Sequence, residues 1–422
     1  MSQNGTSPNV RLHVLIVGAG IAGLSAARAF RLCGHSVEIF ERSKFANEIG
    51  AAVTISPNGT RVLREMGFDF AKVGGVDIRW LRMRNGITMD LMYENDAGDA
   101  EELCGAPHQA MHRQDLHQEL LRLASVDDEK LGPLIGLHKG VKITKIDVQN
   151  ASLELEDGRI FKGDILIGAD GLHSNVRAAA LGTKQEPIDT EWQIYRFLLP
   201  REKVMNDEVL RSMKVDNARL MYDSPDPKAE TNARFVWYEC RNGEVQNFAV
   251  FYRGSEDETK VEDFGNLADK NTVLRLFGHF HPSLIHIIDQ ADKILYWRVY
   301  EREPLETFIY GRTILIGDAG HAMTPFTAAG ATQAIEDAGA LLGLFKNIHD
   351  KSDAERRLKM YDLVRLVRAT RIQIGSTLPF KDGRKNPLAD EYARIELLDE
   401  DLPSELKGLG SNKFKRTAWD FK

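Results

Sequence analysis

Short apolar runs alternate with amphipathic stretches along this chain of 422 residues. Three runs rich in β-branched residues predict strands that are buried on both faces, at residues 14–17, 165–168 and 313–318. Leucines at helical spacing predict a helix over residues 113–124. Longer helical patterns follow the last of the three runs, at residues 328–345 and 351–374. This alternation of buried strands and helices favours an α/β fold.

The pattern between about residues 186 and 296 is different. Strand-like segments at 192–199, 234–240 and 246–252 are separated by loops rich in Pro, Asp and Asn, with one helix predicted near 272–280. This texture predicts a mixed β-sheet domain. Earlier in the chain, residues 77–92 alternate around an Asn-Gly turn and predict a hairpin, and residues 96–107 predict an exposed loop.

The first apolar run leads into a glycine motif, Gly18-x-Gly20-x-x-Gly23. Gly18 allows a tight turn, Gly20 leaves room for a pyrophosphate, and Gly23 lets the following helix pack closely. The next strand ends in Glu41, about 20 residues beyond the glycines, where the dinucleotide fold places a ribose acceptor. The motif therefore predicts a dinucleotide site. Because Glu41 would repel a 2′-phosphate, we expect FAD or NAD there rather than NADP.

These patterns predict a discontinuous nucleotide-binding domain. Its three parts are residues 1–80, 108–185 and 297–378. Between them lie a hairpin and loop that contribute to the substrate domain (81–107) and the β-sheet substrate domain itself (186–296), and a tail (379–422) follows.

Charge and cysteine content exclude several other classes. The net charge of −7 gives no electrostatic footprint for nucleic acid. Three widely spaced cysteines, Cys33, Cys104 and Cys240, form neither a zinc motif nor a disulfide framework, so we expect no metal site and a reducing compartment. No apolar run reaches the roughly 18 residues of a membrane span. We therefore expect a cytoplasmic protein that binds neither nucleic acid nor membrane.

Two further glycine–acid motifs follow the second and third buried strands. Each is, by itself, also typical of a plain strand-end turn. They are Gly168-Ala-Asp170-Gly171-x-x-Ser174-x-Val-Arg177 and Gly317-Asp318-Ala-Gly-His321-Ala-Met-Thr-Pro325, the latter continuing as Gly330-Ala-Thr-Gln333-Ala-Ile-Glu336-Asp337. With the three motifs in this order, the chain resembles the single-component (group A) flavin-dependent aromatic hydroxylases of the salicylate hydroxylase type.

The resemblance implies a fold and a reaction. The fold would be a Rossmann-like FAD-binding domain of the glutathione-reductase type, with an inserted mixed β-sheet substrate domain and a C-terminal helical region. The enzyme would hold FAD non-covalently, use NADPH or NADH as a transient electron donor, and hydroxylate a small phenolic or similarly electron-rich molecule with O₂ through a flavin C4a-hydroperoxide. It would be a monomer or homodimer. Alternatives are a decarboxylating 2-hydroxybenzoate hydroxylase, an alkene epoxidase, a flavin oxidase or dehydrogenase without oxygen insertion, and a redox-silent flavin-binding protein.

The family motifs also assign residues to the cofactor. Asp318 would accept a hydrogen bond from a ribityl hydroxyl, and the helix after Pro325 would direct its positive end at the flavin. Arg113 is either an FAD contact or a solvated helix start, Asp170 either a cofactor support or a simple turn, and His321 is expected to be structural rather than an acid–base catalyst. The predicted cofactor-binding residues are Gly18, Gly20, Ala22, Gly23, Glu41, Arg42, Ala52, Arg113, Asp170, Asp318, Pro325, Gly330 and Ala331.

The predicted catalytic residues come from the β-sheet domain and are Arg196, Tyr195 and Tyr238. Neighbouring residues of a strand point to opposite faces, so only one of Tyr195 and Arg196 can face the flavin. Related fungal phenol hydroxylases carry an arginine where this chain has Arg196, and a cation there would stabilise a phenolate. The alternative for each residue is ordinary sheet packing.

Overall fold

The structure is a computed structural model and describes residues 10–44, 51–224, 233–254 and 266–377. These residues form twenty strands. In chain order they are β1 His13–Val17, β2 Ser36–Glu41, β3 Ala52–Ile55, β4 Val76–Asp77, β5 Trp80–Asn85, β6 Leu91–Asp96, β7 Gln109–His112, β8 Gly136–Lys139, β9 Ile143–Asp147, β10 Ser152–Leu155, β11 Ile160–Lys162, β12 Ile165–Gly168, β13 Ile188–Pro200, β14 Ala218–Asp223, β15 Ala233–Cys240, β16 Val245–Arg253, β17 Asn266–Leu267, β18 Leu295–Glu301, β19 Ile309–Tyr310 and β20 Thr313–Leu315.

The helices within the described residues differ widely in length. In chain order they are α1 Ile21–Leu32, α2 Pro57–Glu65, α3 Ala100–Cys104, α4 Arg113–Ser125, α5 Asn175–Leu181, α6 Arg201–Asn206, α7 Glu208–Met213, α8 Lys270–Leu276, α9 Pro282–Asp289, α10 Asp318–His321, α11 Gly330–Phe345 and α12 Asp353–Thr377, with a 3₁₀ turn at Pro325–Thr327.

A six-stranded sheet carries all three glycine motifs. Its strand order is β19-β20-β12-β1-β2-β8, and all its pairs are parallel except the edge pair β19–β20. The three predicted buried runs form its central strands β1, β12 and β20. Because parallel strands end at the same edge of a sheet, the turns that follow these three strands lie side by side. This edge is where the first candidate site must be sought.

An eight-stranded sheet forms the second large layer, in the order β17-β18-β13-β16-β15-β14-β5-β6. One face, with Phe235, Trp237 and Phe248, packs under helices α8 and α9. The other face, with Ile194 and Phe251, packs against the small sheet β3-β7-β4 and the 3₁₀ turn. The second face therefore points toward the segments that surround the glycine motifs.

Most predicted elements are present, and the structure shows the predicted α/β class. The hairpin is β5–β6, and the helices predicted at 113–124, 328–345 and 351–374 are α4, α11 and α12. Two predictions are wrong in part. The loop expected at 96–107 contains helix α3, and the helix expected at 272–280 ends at Leu276, with the separate helix α9 after it. The predicted tail 379–422 lies outside the described residues.

Candidate active site

The glycine turn after β1 has the geometry that a dinucleotide needs. Gly18 has φ +100°, and a Cβ there would lie 2.3 Å from the backbone oxygen of Ala169. A Cβ on Gly23 would lie 1.9 Å from the backbone oxygen of Gly18. A Cβ on Gly20, in contrast, would meet no atom within 4 Å. The turn is thus closed on its protein side and open at Gly20, at the N-terminus of α1, where unbonded N–H groups favour an anion.

Glu41 ends β2 beside this turn. Its carboxylate accepts hydrogen bonds from the backbone N–H of Ala19 (2.8 Å) and of Ser43 (2.6 Å). The next residue, Arg42, is exposed. The structure therefore brings the predicted ribose acceptor to the glycine turn itself.

The third motif approaches the same turn from β20. A Cβ on Gly317, which has φ +55°, would lie 2.8 Å from the Cβ of Ala22 on α1. Asp318 follows at the start of α10, and its side chain is accessible to solvent although protein surrounds it on most sides. Burial raises the pKa of Asp318, against the opposing positive charges of His321 and Arg113. An accessible carboxylate in such a recess suits a polar partner with hydroxyl groups.

A buried ion network holds the Gly317 turn in place. The carboxylate of Asp337 accepts from the backbone N–H of Gly317, from His321 Nε2 and from Arg365 Nε, each at 2.8 Å. Arg365 also donates to Glu336, at 2.9 Å. Burial acts to raise the pKa of Asp337, but the charges of His321 and Arg365 outweigh it and hold that pKa well below its usual range. His321 is 1% exposed, and its ring is hydrogen-bonded to Asp337. His321 therefore belongs to the network that supports the Gly317 turn.

The second motif is linked to the third. Asp170 accepts from the Ser174 hydroxyl and from the backbone N–H of Asn175, and Ser174 Oγ caps α5 by accepting from Arg177 N at 2.8 Å. The Arg177 side chain donates to the backbone oxygens of residues 319 and 320. Burial raises the pKa of Asp170, although the hydrogen bonds that its carboxylate accepts from Ser174 and from the backbone N–H of Asn175 act to lower it. The local contacts of Asp170 are those of a turn that fixes α5 and, through it, α10.

The segment from Pro325 to Ala331 closes the site on the side of the eight-stranded sheet. Pro325 begins the 3₁₀ turn, and Phe326 packs edge-on against Trp192 with ring centroids 4.9 Å apart. Gly330 begins α11, and a Cβ there would meet no atom within 4 Å. Ala331 is partly buried beside it. The N-terminus of α11 is therefore a second open helix start at this edge.

Arg196 and Tyr238 lie on the sheet face that packs toward these segments, and both contact the backbone oxygen of Ala52. Tyr238 donates its hydroxyl to that oxygen at 2.8 Å, and Arg196 Nη1 donates to it at 3.5 Å. The guanidinium of Arg196 lies over the ring of Trp297, 5.1 Å from its centroid. Within the described residues, the buried Arg196 Nε has no hydrogen-bond partner. Burial lowers the pKa of Arg196 and raises that of Tyr238.

Tyr195 lies on the opposite face, as strand alternation requires. Its ring packs among the aromatic side chains under α8 and α9, with Phe277 5.8 Å away, and its hydroxyl donates to Gln193 Oε1 at 2.7 Å. The structure therefore joins Arg196 and Tyr238 but does not bring Tyr195 to them.

Arg113 connects the two halves of the site. It begins α4 and is exposed, and its charge acts on both Asp318 and Arg196. Two residues absent from the sequence prediction, Arg219 and His108, lie close by, since the charge of Arg219 acts on both Tyr238 and His108. An arginine within the alternating apolar strand β14 was the available signal for Arg219, whereas His108 carried none.

These residues fit FAD. The open positions at Gly20 and Gly330 mark two free helix N-termini, and the carboxylates of Glu41 and Asp318 lie at the ends of β2 and β20. The same edge thus supplies N–H donors for phosphates, two acceptors for sugar-like hydroxyls, and a helix end for the ring system. Among the described residues, no cluster of His, Cys, Asp and Glu could hold a metal ion, and none of the helices has both the length and the apolar character of a membrane span.

Comparison with known proteins agrees with this geometry. A family model described as "FAD binding domain" matches residues 11–374. The chain is 32% identical over 338 residues to the FAD-dependent monooxygenase phomE' of Diaporthe leptostromiformis, covering 80% of this chain and 84% of that protein. It is 30% identical to the hispidin-3-hydroxylase of Neonothopanus nambi, over 85% of this chain and 86% of that protein. A solved salicylate hydroxylase substrate complex has the same fold, with a TM-score of 0.72 and 23% identity. The match covers 91% of this chain and 93% of that one.

A family model that spans most of the chain, together with relatives of this identity and coverage, settles the family. The predicted resemblance, fold class and cofactor are confirmed. The chain belongs to the FAD-binding domain family and is an FAD-dependent monooxygenase.

Proposed function

We propose that this monooxygenase hydroxylates a small phenol or a similarly electron-rich aromatic molecule, and that Arg196 and Tyr238 hold the ring oxygen. The observation that carries the proposal is the pairing of these two side chains at Ala52 O, with Arg196 Nε buried and unpartnered in the part of the chain that the structure describes. A buried guanidinium with a donor to spare favours an anionic oxygen as its ligand. A relative named hispidin-3-hydroxylase is consistent with this choice.

Arg196 would act on the electron density of the ring. A phenolate is a better electron donor than a phenol, and a guanidinium beside its oxygen stabilises that form. Tyr238, whose pKa is raised by burial, stays protonated, and its single hydroxyl hydrogen would turn from Ala52 O to the ring oxygen when the substrate binds. When bound, FAD would accept two electrons from NADPH or NADH and use them to activate O₂.

The surroundings of the pair would orient the ring and exclude water. Trp297 lies under the Arg196 guanidinium, and Phe326 and Phe251 pack against each other on the same face, with centroids 5.5 Å apart. Arg113 would stand between the ring oxygen and Asp318, whose carboxylate would accept from a hydroxyl of the cofactor. Glu41 and the N–H groups at Gly20 would hold the adenosine and phosphate portion. We further propose that the protein is a monomer or homodimer. We also propose that it lies in the cytoplasm, which its three free cysteines favour.

The experiment is Arg196→Ala, assayed in three steps with a panel of phenols. FAD content and NAD(P)H-driven flavin reduction should stay within a few-fold of wild type, because Arg196 contacts neither the glycine turn nor Asp318 in the structure. Incorporation of labelled O₂ into product should fall by about 10²-fold, the scale for losing one electrostatic contact that strengthens in the transition state. Peroxide release should rise correspondingly.

Tyr195→Phe is the matched comparison, since the two residues are neighbours on one strand and face opposite ways. Its position predicts hydroxylation within a few-fold of wild type. Near-normal hydroxylation by Arg196→Ala together with a crippled Tyr195→Phe would mean that the other face of β13 binds the substrate, and the proposal would fail.

A further inference from the structure

A second arginine, Arg219, lies on the same face of the eight-stranded sheet as Arg196 and Tyr238. Strand β14 pairs with β15 so that Leu220 is opposite Trp237, and the next pair in this register is Arg219 with Tyr238. Three strand spacings of roughly 4.8 Å separate β14 from β13, and Arg219 is two residues along β14 from Met221, the residue in register with Arg196, so the two arginine backbones are about 16 Å apart. Tyr238 lies between them and feels the charge of both.

The face of the sheet that carries Arg196, Tyr238 and Arg219 is called the wall below. His108 lies at the Arg219 end of this wall. The backbone N–H of Ile78 donates to His108 O at 2.7 Å. The backbone N–H of the next residue, Arg79, donates at 2.8 Å to the backbone oxygen of Asn217, which is two positions before Arg219. Both His108 Nε2 and Arg219 Nε are buried without a hydrogen-bond partner among the described residues. Two polar groups at one end of the wall are therefore left with free hydrogen-bonding capacity.

No carboxylate in the described ranges forms an ion pair with Arg219. A nearby arginine, Arg234, has its own partner, since it donates twice to Asp223, each time at 2.6 Å. Burial, followed by the charge of Arg219, lowers the pKa of His108 to about 3, so this imidazole is neutral at physiological pH. A guanidinium inside a protein is costly unless an anion accompanies it. Among the residues that the structure describes, this sheet face therefore presents at each end a cation without a carboxylate partner.

We propose that Arg219 and His108 form a second anchoring subsite, which binds a carboxylate on the aromatic substrate at the end remote from the oxygen held by Arg196. This inference rests on the proposed function and specifies its substrate class. A guanidinium can hold a carboxylate by two parallel hydrogen bonds, and a neutral imidazole adds a donor without adding like charge.

The spacing bears on the shape of the substrate. The two arginine backbones are about 16 Å apart, and Tyr238 lies between them. A substrate that reaches from one arginine to the other is therefore elongated, with its carboxylate on a spacer rather than directly on the ring. The 3-(4-hydroxyphenyl)acrylate skeleton, which has a two-carbon spacer, is the probe of this class.

Two probes of nearly equal shape test the subsite, namely 4-hydroxycinnamate and its neutral amide, 4-hydroxycinnamamide. Each is titrated calorimetrically into the FAD-loaded full chain, so that the readout is binding and not turnover. Wild type should bind the acid at least about 10-fold more tightly than the amide, as expected for one charge-assisted contact. Arg219→Met should abolish this preference. Arg211→Met, which removes an exposed arginine from α7, should retain it.

Thermal unfolding separates binding from folding. Arg219→Met replaces an uncompensated cation by an apolar side chain, so its unfolding midpoint without probe should not fall below that of wild type. If Arg219→Met weakens both probes equally and lowers the midpoint, Arg219 supports the fold and the inference is overturned. If wild type binds both probes equally, the inference fails while the proposed function stands. If neither probe binds, the inference fails, and the Arg196→Ala assay with the panel of phenols decides the proposed function independently.

Discussion

Replacing Glu336 by Gln should destabilise the protein by removing one charge from the buried ion network. Glu336 accepts from Arg365 Nη1 at 2.9 Å and from Arg368 at 2.6 and 2.9 Å, and it also accepts from Asn58 at 2.7 Å. The residue is 4% exposed. The glutamine keeps the shape but removes the negative charge that Arg365 and Arg368 both face, and weakening the compensation of a buried cation such as Arg365 is destabilising.

The pKa of Glu336 gives the magnitude. Burial acts to raise it, but Arg368 and Arg365 outweigh burial and lower it from 4.5 to about 2. At about 1.4 kcal/mol for each tenfold change in proton affinity, the charged carboxylate contributes about 3 kcal/mol to the free energy of unfolding. Because the folded-state pKa is depressed, this contribution is complete above the unfolded-state value and is lost as the pH falls toward 2. It should decrease by about 1 kcal/mol at pH 4 and by about 2 kcal/mol at pH 3.

The assay is urea unfolding, followed by far-UV circular dichroism, of wild type and Glu336→Gln at pH 7 and pH 4 with the same FAD concentration. The difference between the two proteins should be about 3 kcal/mol at pH 7 and smaller at pH 4. Glu156→Gln is the control, since its ion pair with Lys142 is exposed and is worth about 0.5 kcal/mol or less. A difference below about 1 kcal/mol at pH 7, or one that does not shrink at pH 4, would refute the reasoning.

Two predictions concern the cofactor. Glu41→Ala should weaken FAD binding by roughly 10- to 100-fold in a flavin fluorescence titration, because it removes a carboxylate that can accept one charge-assisted hydrogen bond from the ribose, worth about 1.5–3 kcal/mol; unchanged affinity would show that the carboxylate serves only the turn at Ala19. Asp318→Ala should lower the FAD content of the purified protein while leaving its circular dichroism unchanged, since Asp318 lies in the recess and the turn is held by Asp337. Global unfolding of Asp318→Ala at full FAD saturation would contradict that role.

Local signals explain why much of the six-stranded sheet could be predicted. Strands buried on both faces are short apolar runs, and the Gly18 turn needs a positive φ and close backbone contact, which favour glycine. Short helices carry weaker signals. Helix α3 has only five residues and ends at Gly105 in the left-handed region, so no apolar period marks it. Pro282 begins α9 at a position that suits its fixed φ, and this boundary was missed.

The candidate site was predictable only in part, for a related reason. Strand alternation separates Arg196 from Tyr195, and the structure shows the same separation. The position of Arg219 depends on the order of strands in the sheet, where β14 lies between β15 and β5 and pairs with β5 in parallel. His108 reaches that end of the wall through a hydrogen bond from Ile78. Such long-range pairing has no signature in a local pattern of residues.

The order of strands in the six-stranded sheet also governs how the protein must assemble during its synthesis. Helix α1 is covered by α11, and in the turn that follows α1, Cys33 Sγ donates to Leu342 O and His35 Nε2 bonds to Phe345 O. About 300 residues separate these partners, so at 5–20 residues per second the ribosome delivers α11 roughly 15 to 60 s after β2. Throughout that interval the apolar side of α1 remains uncovered, and one edge of β12 is uncovered from its own synthesis until β20 emerges. The first segment of the domain therefore exposes apolar surface and an unpaired strand edge, the features that favour aggregation, until the last segment emerges.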